Sequence, residues 1–216
     1  MIKIIKNPEP QVLKEKKEEW TNRLQEYLQK NIEIPKSLST KYNQTEVKDA
    51  LKIECRNKCM YCESTISHIA YDHIEHIKPK AQNKFPELTF VWENLGLSCP
   101  ICNNKKGSIY DADLPFINPY IDDPADFFIA LGGIIKKKPA NKRAELTLKI
   151  LDLNRNELIE QRAERLKLIE KLIDRYCAET NNSLKEAILH EIQIEIKEDK
   201  PYSFCAKSLY DVLINC

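Results

Sequence analysis

Two Cys-x-x-Cys pairs constrain this chain more than any other feature of its 216 residues. The pairs are Cys59-Met60-Tyr61-Cys62 and Cys99-Pro100-Ile101-Cys102, with residues 63–98 between them. Four thiolates spaced in this way can close a tetrahedral zinc site, which fastens two distant parts of a chain together. The sequence therefore predicts a structural zinc ion on Cys59, Cys62, Cys99 and Cys102.

The other cysteines are scattered, and we interpret them as ordinary thiols: Cys55, Cys177, Cys205 and Cys216. A cysteine-based redox enzyme is disfavoured, because neither pair has the strand-CxxC-helix context of thioredoxin-like proteins. The start of the chain is interrupted by Asn7 and Pro8 too early for a signal peptide or a membrane span. We expect a cytoplasmic protein with no membrane association, whose cysteines are reduced.

The flanks of the cysteine-rich region have helical periodicity. On the N-terminal side, apolar positions predict helices over Val12–Leu28 and Thr45–Ile53. On the C-terminal side they predict a long helix over Asn154–Ala178, followed by helices over Ser183–Ile196 and Ser203–Ile214. The chain thus divides into a helical segment 1–54, a central region 55–120 and a helical region 121–216.

Between these flanks, a shorter stretch is less regular. Residues Asp126–Leu131 are predicted as a short helix, which Gly132 and Gly133 end. The lysine run at residues 136–138 is interpreted as a solvated turn.

The segment between the cysteine pairs contains Asp72-His73-Ile74-Glu75-His76, which a purely structural zinc site does not require. Hydrolysis of a phosphodiester needs a water, a base that deprotonates it and a cation that stabilises the developing charge. His73 suits the base and Asp72 suits the cation. Asp72 and His73 stand at the end of an expected strand over residues 69–71. Adjacent side chains of a regular strand point in opposite directions, so we expect the chain to bend there if both residues serve one site.

The order of these motifs resembles the HNH endonuclease family: CxxC, Asp72-His73, Asn94-Leu95, then CxxC followed by Asn103. The resemblance implies a ββα-metal core, with a helix that starts at Pro100 and stops at Gly107. It implies that His73 is the general base, that Asn94 braces the loop and orients the base, and that Asp72 and Asn103 hold Mg²⁺ or Mn²⁺. The fold class is then α+β and mainly helical, with a small zinc-stabilised ββα core between helical extensions.

Other polar residues leave alternatives open. His76 and Glu75 either line the site, as an extra ligand or acid, or support His73 from outside it. Lys105 and Lys106 either contact phosphate oxygens or are simply solvent-exposed, and Lys78 is a further candidate for substrate binding. With Lys+Arg 34 against Asp+Glu 33, the net charge of +1 shows no global basic excess, so any phosphate-binding surface must be local.

Four strings carry a longer match: Asp72–Lys80, Leu88–Leu95, Leu97–Gly107 and Phe116–Tyr120. Through them a stretch of about residues 55–155 resembles the PtuB family, the HNH effectors of Septu antiphage systems and related retron systems. That resemblance implies a nuclease that acts on nucleic acid, with DNA the expected substrate, together with a PtuA-type ATPase. The four glycines form no phosphate-binding loop of the Walker type, so ATP dependence would come from another chain. The alternative is a zinc-stabilised nucleic-acid-binding or adaptor module with little intrinsic cleavage.

Overall fold

The fold is described from a computed structural model, which covers residues 1–66 and 72–214. Its helices are α1 Gln11–Gln29, α2 Lys36–Ser39, α3 Thr45–Glu54, α4 Pro100–Lys106, α5 Lys142–Ile150, α6 Asn156–Ala178, α7 Asn182–Glu195 and α8 Ser203–Leu213. Its strands are β1 His73–His76, β2 Leu95–Ser98, β3 Phe128–Leu131 and β4 Ile134–Lys137. The chain is therefore mainly helical with two small sheets, and the predicted α+β, mainly helical class is confirmed.

The centre of the fold is a ββα unit made of β1, β2 and α4. Strands β1 and β2 pair antiparallel, with His73 opposite Ser98 and Glu75 opposite Gly96. Helix α4 begins at Pro100, just after β2. Proline suits the first turn of a helix, because the amide N–H that it lacks would have no hydrogen-bond partner there. It ends at Gly107, whose φ of 50° is a conformation that favours glycine. The predicted start and stop of this helix are confirmed.

The two cysteine pairs meet at the base of this unit. The four Sγ atoms all lie within 4.8 Å of one another, and those of Cys62 and Cys99 are 3.8 Å apart. Tetrahedral zinc with Zn–S bonds of about 2.3 Å requires sulfur atoms about 3.8 Å apart. The donor set therefore fits a structural zinc ion. The Cys99 sulfur also caps α4 by accepting a hydrogen bond from the Cys102 amide at 3.5 Å.

The N-terminal segment covers one side of the ββα unit. Lys6 reaches into the protein, where its Nζ donates to the Leu95 carbonyl of β2 at 2.6 Å and to the Glu54 carboxylate of α3 at 2.9 Å. The same ammonium lies 3.7 Å from the ring centroid of Trp92. The Trp92 indole donates to the Asn7 carbonyl at 2.8 Å. Buried apolar residues of α1 and α3 belong to the same hydrophobic core.

The C-terminal region differs from its prediction in one place. Phe128–Leu131 is not helical but forms strand β3, which pairs with β4 so that Leu131 is opposite Ile134. The physical reason is the two-residue Gly132-Gly133 turn, in which Gly132 has a φ of 59°, because such turns favour a tight hairpin. Lys136 and Lys137 consequently lie in β4, opposite Ile129 and Phe128, instead of in a solvated turn.

The long predicted helix is confirmed as α6, which packs against both α7 and α8. Arg162 of α6 is buried and donates to the carbonyls of Leu153 and Gly133 at 2.8 and 3.2 Å. These bonds attach the hairpin to the helix. Within the described residues, no helix is both long and apolar enough to cross a bilayer.

The strand predicted at residues 69–71 and the cysteine Cys216 lie outside the described residues. Cys177 is disulfide-bonded, which corrects its interpretation as an ordinary thiol. Cys55 and Cys205 are free and buried.

Substitution of Cys59 by serine should abolish zinc binding and lower the melting temperature sharply, because three thiolates cannot complete the tetrahedral site. Cys205→Ser is the matched control, since it removes a buried thiol outside the cluster. Zinc content by mass spectrometry and thermal melting by circular dichroism measure the two effects. A wild-type protein that is fully stable after zinc is chelated away would contradict the prediction.

Candidate active site

A cavity of about 320 Å³ opens beside β1 and α4. Glu75 and His76 come from the strand, and Asn103 comes from the helix. Tyr42 and Lys80 contribute to the rim, and Gly107 and Ser108 follow the end of the helix. The ββα unit thus brings a carboxylate, an imidazole and an amide to one place.

Glu75 is buried and held by three neighbours. The Lys106 ammonium lies 2.5 Å from its Oε1, the Asn103 amide donates to its Oε2 at 3.1 Å, and the Tyr61 hydroxyl donates to Oε1 at 3.4 Å. Burial raises the pKa of the Glu75 carboxyl to about 6, while the charge of Lys106 opposes that rise. The Asn103 amide nitrogen also donates to Ser98 Oγ at 3.3 Å. Its Oδ1 atom is therefore the oxygen that Asn103 can offer to a cation.

His76 has one ring nitrogen committed to the protein. Its Nε2 lies 3.0 Å from the Thr89 carbonyl oxygen, and because a carbonyl only accepts hydrogen bonds, Nε2 must carry the proton. Nδ1 is then the basic nitrogen. Burial and the neighbouring charge of Lys80 lower the pKa of His76 to about 3, so the ring is neutral at physiological pH. The Tyr42 ring packs edge-on against it, with centroids 4.6 Å apart.

Asn94 clamps the chain that leaves β1. Its Oδ1 accepts a hydrogen bond from the Lys78 amide at 2.8 Å, and its Nδ2 donates to the Lys78 carbonyl at 3.0 Å. Its own carbonyl accepts from the Ile77 amide at 2.9 Å. These contacts fix the backbone immediately after His76.

Asp72 and His73 are not among the residues that line the cavity. The Asp72 carboxylate faces α3, where it lies 3.1 Å from the Lys52 ammonium and 4.0 Å from that of Lys48. His73 begins β1, three positions before His76 and opposite Ser98. The carboxylate in contact with Asn103 is that of Glu75, and the expected sharing of a cation by Asp72 and Asn103 stays a prediction.

The predicted phosphate-binding lysines also differ from one another. Lys106 has only 1% of its surface exposed, and its ammonium donates to the His76 carbonyl at 2.8 Å besides pairing with Glu75. It is therefore an internal residue, which corrects its assignment to a substrate-binding surface. Lys105 is exposed and pairs with Asp152 at 3.0 Å. Lys78 is exposed beside the rings of Phe85 and Tyr110.

The sequence contains a signal for the observed arrangement, because two acidic-histidine pairs follow each other at residues 72–73 and 75–76. Only the second pair stands at the end of β1, directly before the Lys78 backbone that Asn94 clamps. Of the two histidines, His76 is therefore the one followed directly by backbone that Asn94 holds. Periodicity alone could not make this choice.

Comparison with known proteins agrees with the geometry. The HNH endonuclease family profile matches residues 59–108, the span from the first cysteine pair to just beyond α4. A Septu protein PtuB from Bacillus thuringiensis is 30% identical over 182 residues, which cover 78% of this chain and 68% of that protein.

Two further relatives match shorter stretches. A second Septu protein PtuB, from Bacillus mycoides (strain KBAB4), is 32% identical over 158 residues, 60% of this chain and 54% of the relative. A protein named as an HNH endonuclease of retron Vc95, from Vibrio cholerae serotype O1 biovar El Tor, is 31% identical over 138 residues, 59% of this chain and 65% of the relative. The matches thus span between half and about two thirds of the relatives' lengths. On the strength of the ββα unit, the cysteine cluster and these similarities, the chain belongs to the PtuB family of HNH endonucleases.

Proposed function

We propose that this nuclease hydrolyses nucleic-acid phosphodiester bonds, with DNA as its substrate, and that Glu75, His76 and Asn103 form its catalytic centre. The observation that carries the proposal is His76, whose neutral ring has one nitrogen bonded to a backbone carbonyl and lies in a cavity beside a buried carboxylate. Glu75 and His76 take the roles that the sequence assigned to Asp72 and His73.

His76 is the proposed general base. With the Nε2 proton held by Thr89, Nδ1 can accept a proton from a water that attacks the phosphorus. Burial lowers the pKa of His76, so the ring is neutral and Nδ1 is unprotonated before cation and substrate bind. The Asn94 clamp keeps the residues after His76 in one conformation, so that the base is positioned before the substrate arrives.

Glu75 and Asn103 are the proposed cation ligands. A carboxylate oxygen and an amide oxygen are hard donors of the kind that Mg²⁺ and Mn²⁺ prefer. Such a cation, when bound, stabilises negative charge on the phosphate and on the leaving oxygen. These two ligands come from β1 and α4, whose relative position is set by the β1–β2 pairing and the cysteine cluster.

Lys106 balances the charge of Glu75. An unpaired carboxylate in this buried position would be costly, and the ammonium offsets that cost before any cation binds. The pair is neutral overall, so a divalent cation gains less attraction here than it would from an unpaired carboxylate. A substrate phosphate would supply the remaining negative charge.

The PtuB resemblance also bears on the biological role of the chain. We propose that the chain is the nuclease of an antiphage system and acts with a PtuA-type ATPase, as the PtuB resemblance implies. A second candidate, an adaptor with little intrinsic cleavage, is favoured by the ion pair that occupies Glu75 and by the net charge of +1. The expected cytoplasmic location stays a prediction.

Substitution of His76 by alanine should reduce cleavage roughly 100- to 10,000-fold, the range for loss of a positioned general base. His73→Ala is the matched control, since it removes a histidine from the same strand outside the cavity, and it should retain activity. Cleavage of plasmid and single-stranded DNA with Mg²⁺ or Mn²⁺, with and without the ATPase partner, measures the effect. If His73→Ala is inactive and His76→Ala is active, the assignment of the base is wrong. If wild type cleaves nothing under any condition, the adaptor function stands.

Substitution of Asn103 by alanine should weaken Mn²⁺ binding by roughly tenfold or more. Loss of a residue that only hydrogen-bonds to a metal ligand already lowers metal affinity by about that factor, and loss of a ligand itself should cost at least as much. Asp72→Asn should leave the affinity unchanged, since that carboxylate pairs with Lys52. Titration of Mn²⁺ followed by electron paramagnetic resonance compares the two variants independently of cleavage. Weaker binding in Asp72→Asn alone would restore the original ligand assignment.

A further inference from the structure

A second cavity lies next to the catalytic one. Its volume is about 280 Å³, and its walls are mainly apolar and aromatic, with Tyr110, Phe116, Ile117 and Ile77 among them. Both cavities use the segment of residues 75–80, since Glu75 and His76 line the first while Ile77 and Lys78 line the second. Tyr61 also lines the second cavity, and its hydroxyl contacts Glu75 at 3.4 Å. The cavities are therefore neighbours.

Tyr110, which lines this cavity, and its neighbour Phe85 do not belong to the hydrophobic core. Both rings are half-buried, and neither is in the core cluster of the described residues. They pack in a T-shaped arrangement, with ring centroids 5.1 Å apart at 82°. The two rings are therefore held together without stacking in parallel. A planar ligand can stack on a ring held in this way.

The cations that line the cavity differ in their partners. The Arg143 guanidinium is neutralised by Asp122, with nitrogen-oxygen distances of 2.6 and 3.1 Å, and also donates to the carbonyls of Pro115 and Phe116. The exposed Lys78 ammonium lies 5.5 Å from the Phe85 centroid and 6.0 Å from that of Tyr110. The apolar and aromatic walls therefore suit an uncharged aromatic group, and Lys78 suits a phosphate beside it.

The position of Lys78 is fixed relative to His76. The two residues are two steps apart along the chain, so their Cα atoms lie at most about 7 Å apart, which one nucleotide can span. Asn94 holds both the amide and the carbonyl of Lys78, so the spacing of the two backbones is fixed while the Lys78 side chain can still turn toward a phosphate. A strand whose phosphate lies at His76 could consequently place an adjacent base in the aromatic cavity.

We propose that this cavity binds an unpaired base of the nucleic-acid substrate, stacked on Tyr110, with Lys78 contacting the phosphate beside it. The proposal rests on the nuclease function proposed above. A base within a duplex is stacked on its neighbours and paired, so it can enter only after it is extruded. The enzyme therefore prefers single-stranded or locally unpaired substrates.

The test measures binding without cleavage, in the full chain carrying His76→Ala. The probe is a short DNA oligonucleotide containing the fluorescent base 2-aminopurine, used single-stranded and annealed to its complement. Stacking quenches this fluorescence, so one titration gives both the dissociation constant and the environment of the base. The single strand should bind more tightly than the duplex and should be quenched.

Adding Tyr110→Ala should remove the quenching and weaken single-strand binding roughly 5- to 150-fold, the range for loss of one base-aromatic stack. Tyr110→Phe should bind like its parent, because the ring makes the contact. Tyr176→Ala is the matched control: Tyr176 is a half-buried tyrosine on α6 with Lys185 4.7 Å from its ring centroid, and its loss should leave binding unchanged.

Unchanged quenching and affinity in Tyr110→Ala would overturn the proposal, as would a duplex that binds as tightly as the single strand, or a parent that binds neither probe. The nuclease function fails separately. It fails when wild type cleaves no nucleic acid, or when His76→Ala cleaves as well as wild type. Cleavage by wild type together with unaltered binding by Tyr110→Ala would refute the base-binding cavity alone.

Discussion

The convergence of four cysteine sulfurs within 4.8 Å fixes much of the remaining structure. The first pair attaches to β2 through the Met60 amide, which donates to the Leu97 carbonyl at 2.9 Å, and the second pair begins α4. Gly96 lies under this connection, since a Cβ there would sit 2.4 Å from the Met60 sulfur. Because β2 pairs with β1, the cluster also determines where Glu75 stands relative to Asn103. Holding the sulfurs together thus positions the proposed catalytic groups.

The flanking helical regions are attached to the ββα unit by buried ion pairs and hydrogen bonds. Glu63 follows the first cysteine pair, and its carboxylate accepts a hydrogen bond from Ser203 of α8 at 2.7 Å. Lys58 pairs with Glu63 and donates to the Glu198 carbonyl at 2.6 Å. Lys6 makes comparable contacts from the N-terminal side. Since these groups are largely buried, losing one partner would leave another uncompensated, which is strongly destabilising. The helical extensions are therefore integral to the stability of the centre.

The sequence predicted those features that depend on local chemistry. The cysteine cluster follows from ligand spacing, helix α4 from Pro100 and Gly107, and helix α6 from its periodicity. The sequence was less informative about features that depend on residues far away along the chain. Residues 128–131 become a strand only because β4 returns beside them, and Lys106 is buried only because Glu75 lies opposite. The choice between the two acidic-histidine pairs likewise depended on which carboxylate meets Asn103, a contact between β1 and α4 that periodicity does not encode.

The ion pair between Glu75 and Lys106 has a consequence for how the ligands of this centre would depend on one another. If Glu75 binds the cation, the neutral Glu75–Lys106 pair becomes part of a positively charged centre, which attracts an incoming phosphate more strongly. Each ligand then raises the affinity for the other, and by thermodynamic linkage the two effects must be equal. At cation concentrations too low to fill the centre unaided, the nucleic acid itself would recruit the metal. Binding of the substrate would in this way complete the centre without any change of backbone conformation.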